Sequence, residues 1–134
     1  MPLTKHPPLR GKTFLLVEDY PPDAELITAI LPRLLPPPPP KVEHEWTLQS
    51  ALTFLATHAV DLVILDLGLP DSTSPAMTLR TMRERFPDVR IVILSGHTAD
   101  AIVDEAIVAG VPFIGKDELQ TADLLARTIA KVLQ

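Results

Sequence analysis

The sequence contains no cysteine. That excludes a disulfide framework, a zinc–thiolate site and a thiol nucleophile. Excess positive charge is missing as well: 12 lysines and arginines stand against 17 aspartates and glutamates, for a net charge of −5. A direct nucleic-acid binder usually carries a basic face, so nucleic-acid binding is not expected. No apolar run approaches the roughly 20 residues that a membrane-spanning helix needs, and no membrane partner is expected. The opening residues, MPLTKHPPLRGK, place no apolar stretch behind their positive charges, as a secretory signal would. Together these absences make a reducing cytoplasm the expected location.

What remains is one domain's worth of chain. Its 134 residues, 46% hydrophobic and 22% charged, can bury a core without metal or disulfide staples. Proline is abundant, with 15 residues unevenly spread. Pro36 to Pro40 form an unbroken run. Such a run lacks amide donors and favours an extended polyproline II rod. Residues 36–40 read as a stiff connector on the surface. A docking ligand for an aromatic-lined groove is the sharper alternative. Pro2, Pro7 and Pro8 mark residues 1–11 as a flexible N-terminal arm, leaving 12–134 as the folded domain.

Between these punctuations two periodicities alternate. Thr13–Glu18, Val60–Asp66 and Val89–Ser95 are short apolar runs rich in β-branched residues, suited to parallel strands buried on both faces. Val111–Lys116 reads as a further strand, and Lys41–Trp46 alternates as an edge strand would. The segments between them have helical spacing. Ile27, Ile30, Leu31 and Leu34 form one stripe, and Leu48, Ala51, Leu52 and Leu55 another. Pro32 should end or bend the first helix. Ser74 reads as an N-cap before Pro75, with Leu79, Met82 and Phe86 facing the core. Residues 99–109 predict a fourth helix with Gly110 as its stop. Ala122, Leu125, Ala126, Ile129 and Leu133 predict a fifth. The β–α order predicts an α/β domain: a doubly wound parallel sheet of five strands with helices on both faces.

Ligands of doubly wound sheets bind beyond the carboxyl ends of the strands. Glu18 and Asp19 end the first strand, Asp66 the third, Ser95 the fourth and Lys116 the fifth. Crowded carboxylates repel one another, and ionising all of them calls for a cation. Hard oxygen donors suit Mg2+. A lysine, a hydroxyl and Mg2+ around a carboxylate would stabilise a transferring phosphoryl group. The carboxylate itself could attack phosphorus to give an aspartyl phosphate.

The strings LLVEDYPPDAELI, VDLVILDLGLPDS, VRIVILSG and AGVPFIGKDEL, in that order, resemble the receiver domain of bacterial two-component response regulators. The resemblance implies a flavodoxin-like sheet of order 2-1-3-4-5. It implies that Asp66 accepts a phosphoryl group from the phosphohistidine of a sensor histidine kinase or histidine phosphotransfer protein. Asp19 and Asp66 would ligate Mg2+ directly, Glu18 through water, and Gly68 by its backbone carbonyl. Lys116 and Ser95 would bond phosphoryl oxygens, with Phe113 as the switch aromatic. Gly68 and His97 stand where the family tunes hydrolysis of the acyl phosphate. Output would pass through the face of the fourth helix, fifth strand and fifth helix, which in the family often forms homodimers. The implied role is a signalling switch, not an enzyme.

Several positions depart from the common pattern. Asp117 follows the lysine where proline is usual, Tyr20 replaces a frequent asparagine, and Pro75 stands in place of a glycine. Two other classes are compatible with the residues. One is a phosphorylation-independent interaction module. The other is a Mg2+-dependent phosphohydrolase, which would need a second acid near Asp66. Gly68 carries no side chain, and the nearest acid is Asp71.

Overall fold

The computed structural model describes residues 12–96, 110–116 and 121–133. Five parallel strands form one sheet in the order β2-β1-β3-β4-β5. They are β1 (Thr13–Val17), β2 (Lys41–Glu45), β3 (Leu62–Leu65), β4 (Ile91–Ser95) and β5 (Phe113–Gly115). Each begins or ends a residue or two inside the apolar run that predicts it. Four helices are described: α1 (Pro21–Leu34), α2 (Leu48–Thr57), α3 (Pro75–Arg85) and the C-terminal helix, here α4 (Thr121–Val132). The helix expected over 99–109 and the arm over 1–11 lie outside the described residues.

The two-residue period of the strands sorts the core into two layers. Leu15, Val17, Val63, Leu65 and Ile93 pack against α2 and α3 on one face. Phe14, Leu16, Leu62, Ile64, Val92 and Leu94 pack against α1 and α4 on the other. Helices thus cover both faces, which is why the inner strands read as continuous apolar runs. In register, Val17 lies beside Leu65 and Ser95 beside Gly115. The residues that follow these positions therefore emerge together at the carboxyl edge.

Local chemistry fixes the helix starts. Ser74 accepts from the Met77 amide, and Pro75 opens α3 as expected. Thr47 and Ser50 form a reciprocal capping box on α2. The expectation for α1 needs correcting at one point, its inward stripe. The helix continues past Pro32 to Leu34. Proline removes one amide donor there, and the residues after it can still close the last turn. The stop comes instead from Pro36, which disfavours helical backbone at the residue before it. Leu35 is accordingly extended (φ −104, ψ 153). That change of direction turns Leu35 into the core at 7% exposure and leaves Leu34, an expected core residue, 38% exposed. Pro36–Pro39 are exposed and Pro40 is buried. Gly110 adopts φ +73, the left-handed conformation that a helix-stop glycine uses.

The reassigned stripe is testable. Leu35→Ala should cost about 2–4 kcal/mol of stability in urea denaturation, as truncation of a buried leucine does. Leu34→Ala should cost less than about 1 kcal/mol. The reverse order would restore the original stripe.

Candidate functional site

Glu18 and Asp19 follow β1 directly, Asp66 follows β3, and Lys116 follows β5. The backbone pins each start. The Glu18 amide donates to the Glu45 carbonyl at 3.1 Å, and the Asp66 amide to the Val17 carbonyl at 3.0 Å. Both acids are buried, Glu18 at 1% exposure and Asp66 at 6%. One carboxylate oxygen from each of Glu18, Asp19 and Asp66 lies within 4.8 Å of the others. That is a set of hard oxygen donors able to surround one small cation.

Lys116 is the positive charge of this pocket. Its Nζ lies 2.6 Å from Glu18 Oε1, 3.0 Å from Asp23 Oδ2 and 3.4 Å from Asp66 Oδ2. The other oxygens are also engaged. Glu18 Oε2 accepts from the Tyr20 amide at 3.2 Å, and Asp66 Oδ1 from the Gly68 amide at 3.1 Å. Burial pushes the Glu18 carboxyl up from 4.5 to about 7; its bond to Lys116 pulls the other way, and the Asp66 charge adds to the rise. Burial would by itself lower Lys116, but Glu18, Asp66 and Asp23 outweigh it and hold the ammonium above its ordinary range. Three carboxylates, Glu18, Asp23 and Asp66, gather around the one ammonium, and Asp19 adds a fourth to the pocket. Full ionisation leaves an excess of buried negative charge, which a proton on Glu18 or a bound cation would relieve.

Of the residues expected at this site, Glu18, Asp19, Asp66, Gly68 and Lys116 come together. Ser95 closes β4 beside Gly115. Phe113 begins β5 and is half-buried against the α2–α3 layer. His97 and Asp117 lie outside the described residues.

The roles of three further residues emerge from tertiary pairing. Asp23 reaches Lys116 from the first turn of α1; its place one helical turn after the acidic pair was the available signal. His44 Nε2 lies 2.9 Å from the Glu18 carbonyl oxygen. A carbonyl can only accept, so Nε2 carries the proton. The His44 ring lies 4.2 Å from the exposed Trp46 ring, and alternation in an edge strand gave no hint of that role. Asp71 places its two carboxylate oxygens 2.8 Å from the amides of Leu48 and Gln49. It thereby caps α2 from the loop after Asp66. Burial works to raise the Asp71 carboxyl, but the backbone amides prevail and hold it below its ordinary range. The same loop is tied by Thr78 Oγ1, which donates to the Leu67 carbonyl at 3.0 Å.

Fold and pocket together define a doubly wound α/β domain with an acidic, cation-competent rim. A sequence profile of the response regulator receiver domain matches residues 14–128, and the chain belongs to that family. Over 63 residues it is 35% identical to the transcriptional regulatory protein CitT of Bacillus subtilis (strain 168). That stretch covers 47% of this chain and 27% of CitT, so the match spans about a quarter of the relative's length. The signal receiver domain of a protein described as a Luxo repressor, from Vibrio parahaemolyticus, superposes with a TM-score of 0.77 at 27% identity, over 92% of this chain and 90% of that one. A CheY-like receiver domain protein from Methanospirillum hungatei JF-1 shares the fold, with a TM-score of 0.75 at 21% identity over 91% and 94% of the two chains.

The elevated Glu18 carboxyl has a consequence for stability. The protein without added metal should gain from protonated Glu18 fully below about pH 4.5 and lose that gain as pH rises to about 7. In this window the unfolded carboxyl ionises while the folded one keeps its proton. Urea midpoints across it should fall more in wild type than in Glu18→Gln. Parallel pH profiles for the two proteins would contradict the shift.

Proposed function

We propose that this receiver domain is a phosphorylation-controlled signalling switch with Asp66 as its phosphoacceptor. The observation that carries the reading is Lys116 Nζ within 3.4 Å of Asp66 Oδ2, beside the oxygen set of Glu18, Asp19 and Asp66. The donor is the phosphohistidine of a sensor histidine kinase or histidine phosphotransfer protein. An Asp66 oxygen bonds to phosphorus as the phosphorus–nitrogen bond to the donor imidazole breaks. The electron pair of that bond stays on the imidazole nitrogen.

The donor set fits Mg2+, a hard cation that takes one or two carboxylates and keeps several waters. Asp19, Asp66 and the Gly68 carbonyl would hold it, with Glu18 through water; when bound it neutralises charge on the transferring phosphoryl oxygens. Lys116 pairs with one phosphoryl oxygen, and the Ser95 hydroxyl donates to another. Phe113 follows Ser95 and relays the change to the face that includes β5 and α4, where a second copy or an output partner docks. Such a change is a shift between two populated states. Gly68 and His97 stand at the sequence positions where the family tunes the lifetime of the acyl phosphate. The work lies in the cytoplasm. Among the described residues no helix is long and apolar enough to cross a membrane.

The rival chemistry fares worse. A phosphohydrolase needs an acid to protonate its leaving group. Asp71, the next acid along the chain after Asp66, is committed to the α2 amides, which hold its carboxyl below its ordinary range. A fixed interaction module would have no need of a buried excess of carboxylate, which costs stability.

The test is incubation with Mg2+ and a small acyl phosphate, followed by intact-mass measurement. Wild type should gain one phosphoryl group, Asp66→Asn none, and Lys116→Met should gain it far more slowly. No gain on wild type, or an equal gain on Asp66→Asn, would count against the assignment.

A further inference from the structure

We propose that Asp23 is a positioning residue for Lys116, keeping its ammonium over Asp66 while a cation occupies the carboxylate pocket. The inference rests on the function proposed above and adds a residue that the phosphoacceptor chemistry itself does not use.

Lys116 has three anionic partners. Glu18 and Asp66 both belong to the oxygen set that can surround a cation. Asp23 does not. When a cation claims the shared oxygens, Asp23 is the carboxylate left to Lys116. Its contact of 3.0 Å is already shorter than the 3.4 Å contact to Asp66. Without it, a lysine on a flexible four-carbon stem has two courses. It can cling to Glu18 at 2.6 Å and oppose cation entry, or swing out to solvent.

The position of Asp23 is fixed by its helix. Pro21 and Pro22 open α1, a placement that proline's fixed φ favours. The Ala24 amide donates to the Tyr20 carbonyl at 3.0 Å, closing the first turn, and Ala24 is buried at 2% exposure. An acid in a first turn is also favoured by the helix dipole. The carboxylate is therefore held on a rigid mount one turn beyond the pocket, with its side chain 33% exposed against 1% for Glu18. The contact also ties β5 to α1 across the carboxyl edge, in addition to the packing of α4 on α1.

The arrangement makes a directional claim about cation affinity. Asp23 gives Lys116 a second home, so it lowers the cost of releasing Glu18 to the cation. Removing Asp23 should weaken cation binding, but only while Lys116 is present to compete. Mg2+ affinity is to be measured by calorimetry on wild type, Asp23→Asn, Lys116→Met and the double variant, with thermal melts confirming that each is folded. Asp23→Asn should weaken Mg2+ binding about fivefold in the wild-type background and less than about twofold in the Lys116→Met background. Asp23→Glu, which keeps the charge, should recover most of the loss. Equal effects in both backgrounds, or no recovery with glutamate, would overturn the role assigned to Asp23 and leave the switch reading standing. A wild type that takes up no Mg2+ would overturn both.

Discussion

Lys116 Nζ sits within 3.4 Å of carboxylates from three separate segments, Glu18, Asp23 and Asp66. This is the interaction on which the site depends. One ammonium cannot neutralise the negative charge gathered there, and two of the acids are almost wholly buried. In water such an excess would disperse. At the rim of a packed sheet it is retained, at a cost, and it creates a demand for positive charge. Burial, reinforced by the Asp66 charge, raises the Glu18 carboxyl, and the surrounding carboxylates hold the Lys116 ammonium high.

The scaffold holds the charges together because it cannot easily yield. β1 and β3 lie side by side within the sheet and carry Glu18 and Asp66 at their ends. Both strands are buried on both faces, and the core on each side is continuous. The loops that leave the sheet are tied down in turn. Asp71 clamps the loop after Asp66 to α2, Thr78 holds the Leu67 carbonyl, and His44 holds the Glu18 carbonyl. Functional groups on rigid elements, supported by a further layer of hydrogen bonds, keep the geometry that charge chemistry needs. The exposed Trp46 against His44 places an intrinsic fluorophore two contacts from Glu18.

Much of this was legible in the sequence, for identifiable reasons. A parallel sheet covered on both sides forces unbroken apolar strands, so β1, β3 and β4 announced themselves. Polar residues at the ends of those runs located Glu18, Asp19, Asp66 and Lys116, because strand order gathers strand ends whatever their separation along the chain. Residues that act through a partner were harder to see. Asp23 on a helix surface, His44 in an edge strand and Asp71 in a turn each fit an ordinary local role, and only tertiary pairing gives them another. Leu34 and Leu35 failed for a different reason. Helical periodicity held to the end of α1, and the backbone change imposed by Pro36 then exchanged which leucine faces inward.

The account holds that a proton on Glu18 and a divalent cation are alternative answers to the same excess charge. Calorimetric titration with Mg2+ near pH 6.5, in buffers of different ionisation enthalpy, measures the protons displaced on binding. The account predicts net proton release that disappears in Glu18→Gln. Binding without proton release in wild type, or the same release in Glu18→Gln, would contradict it.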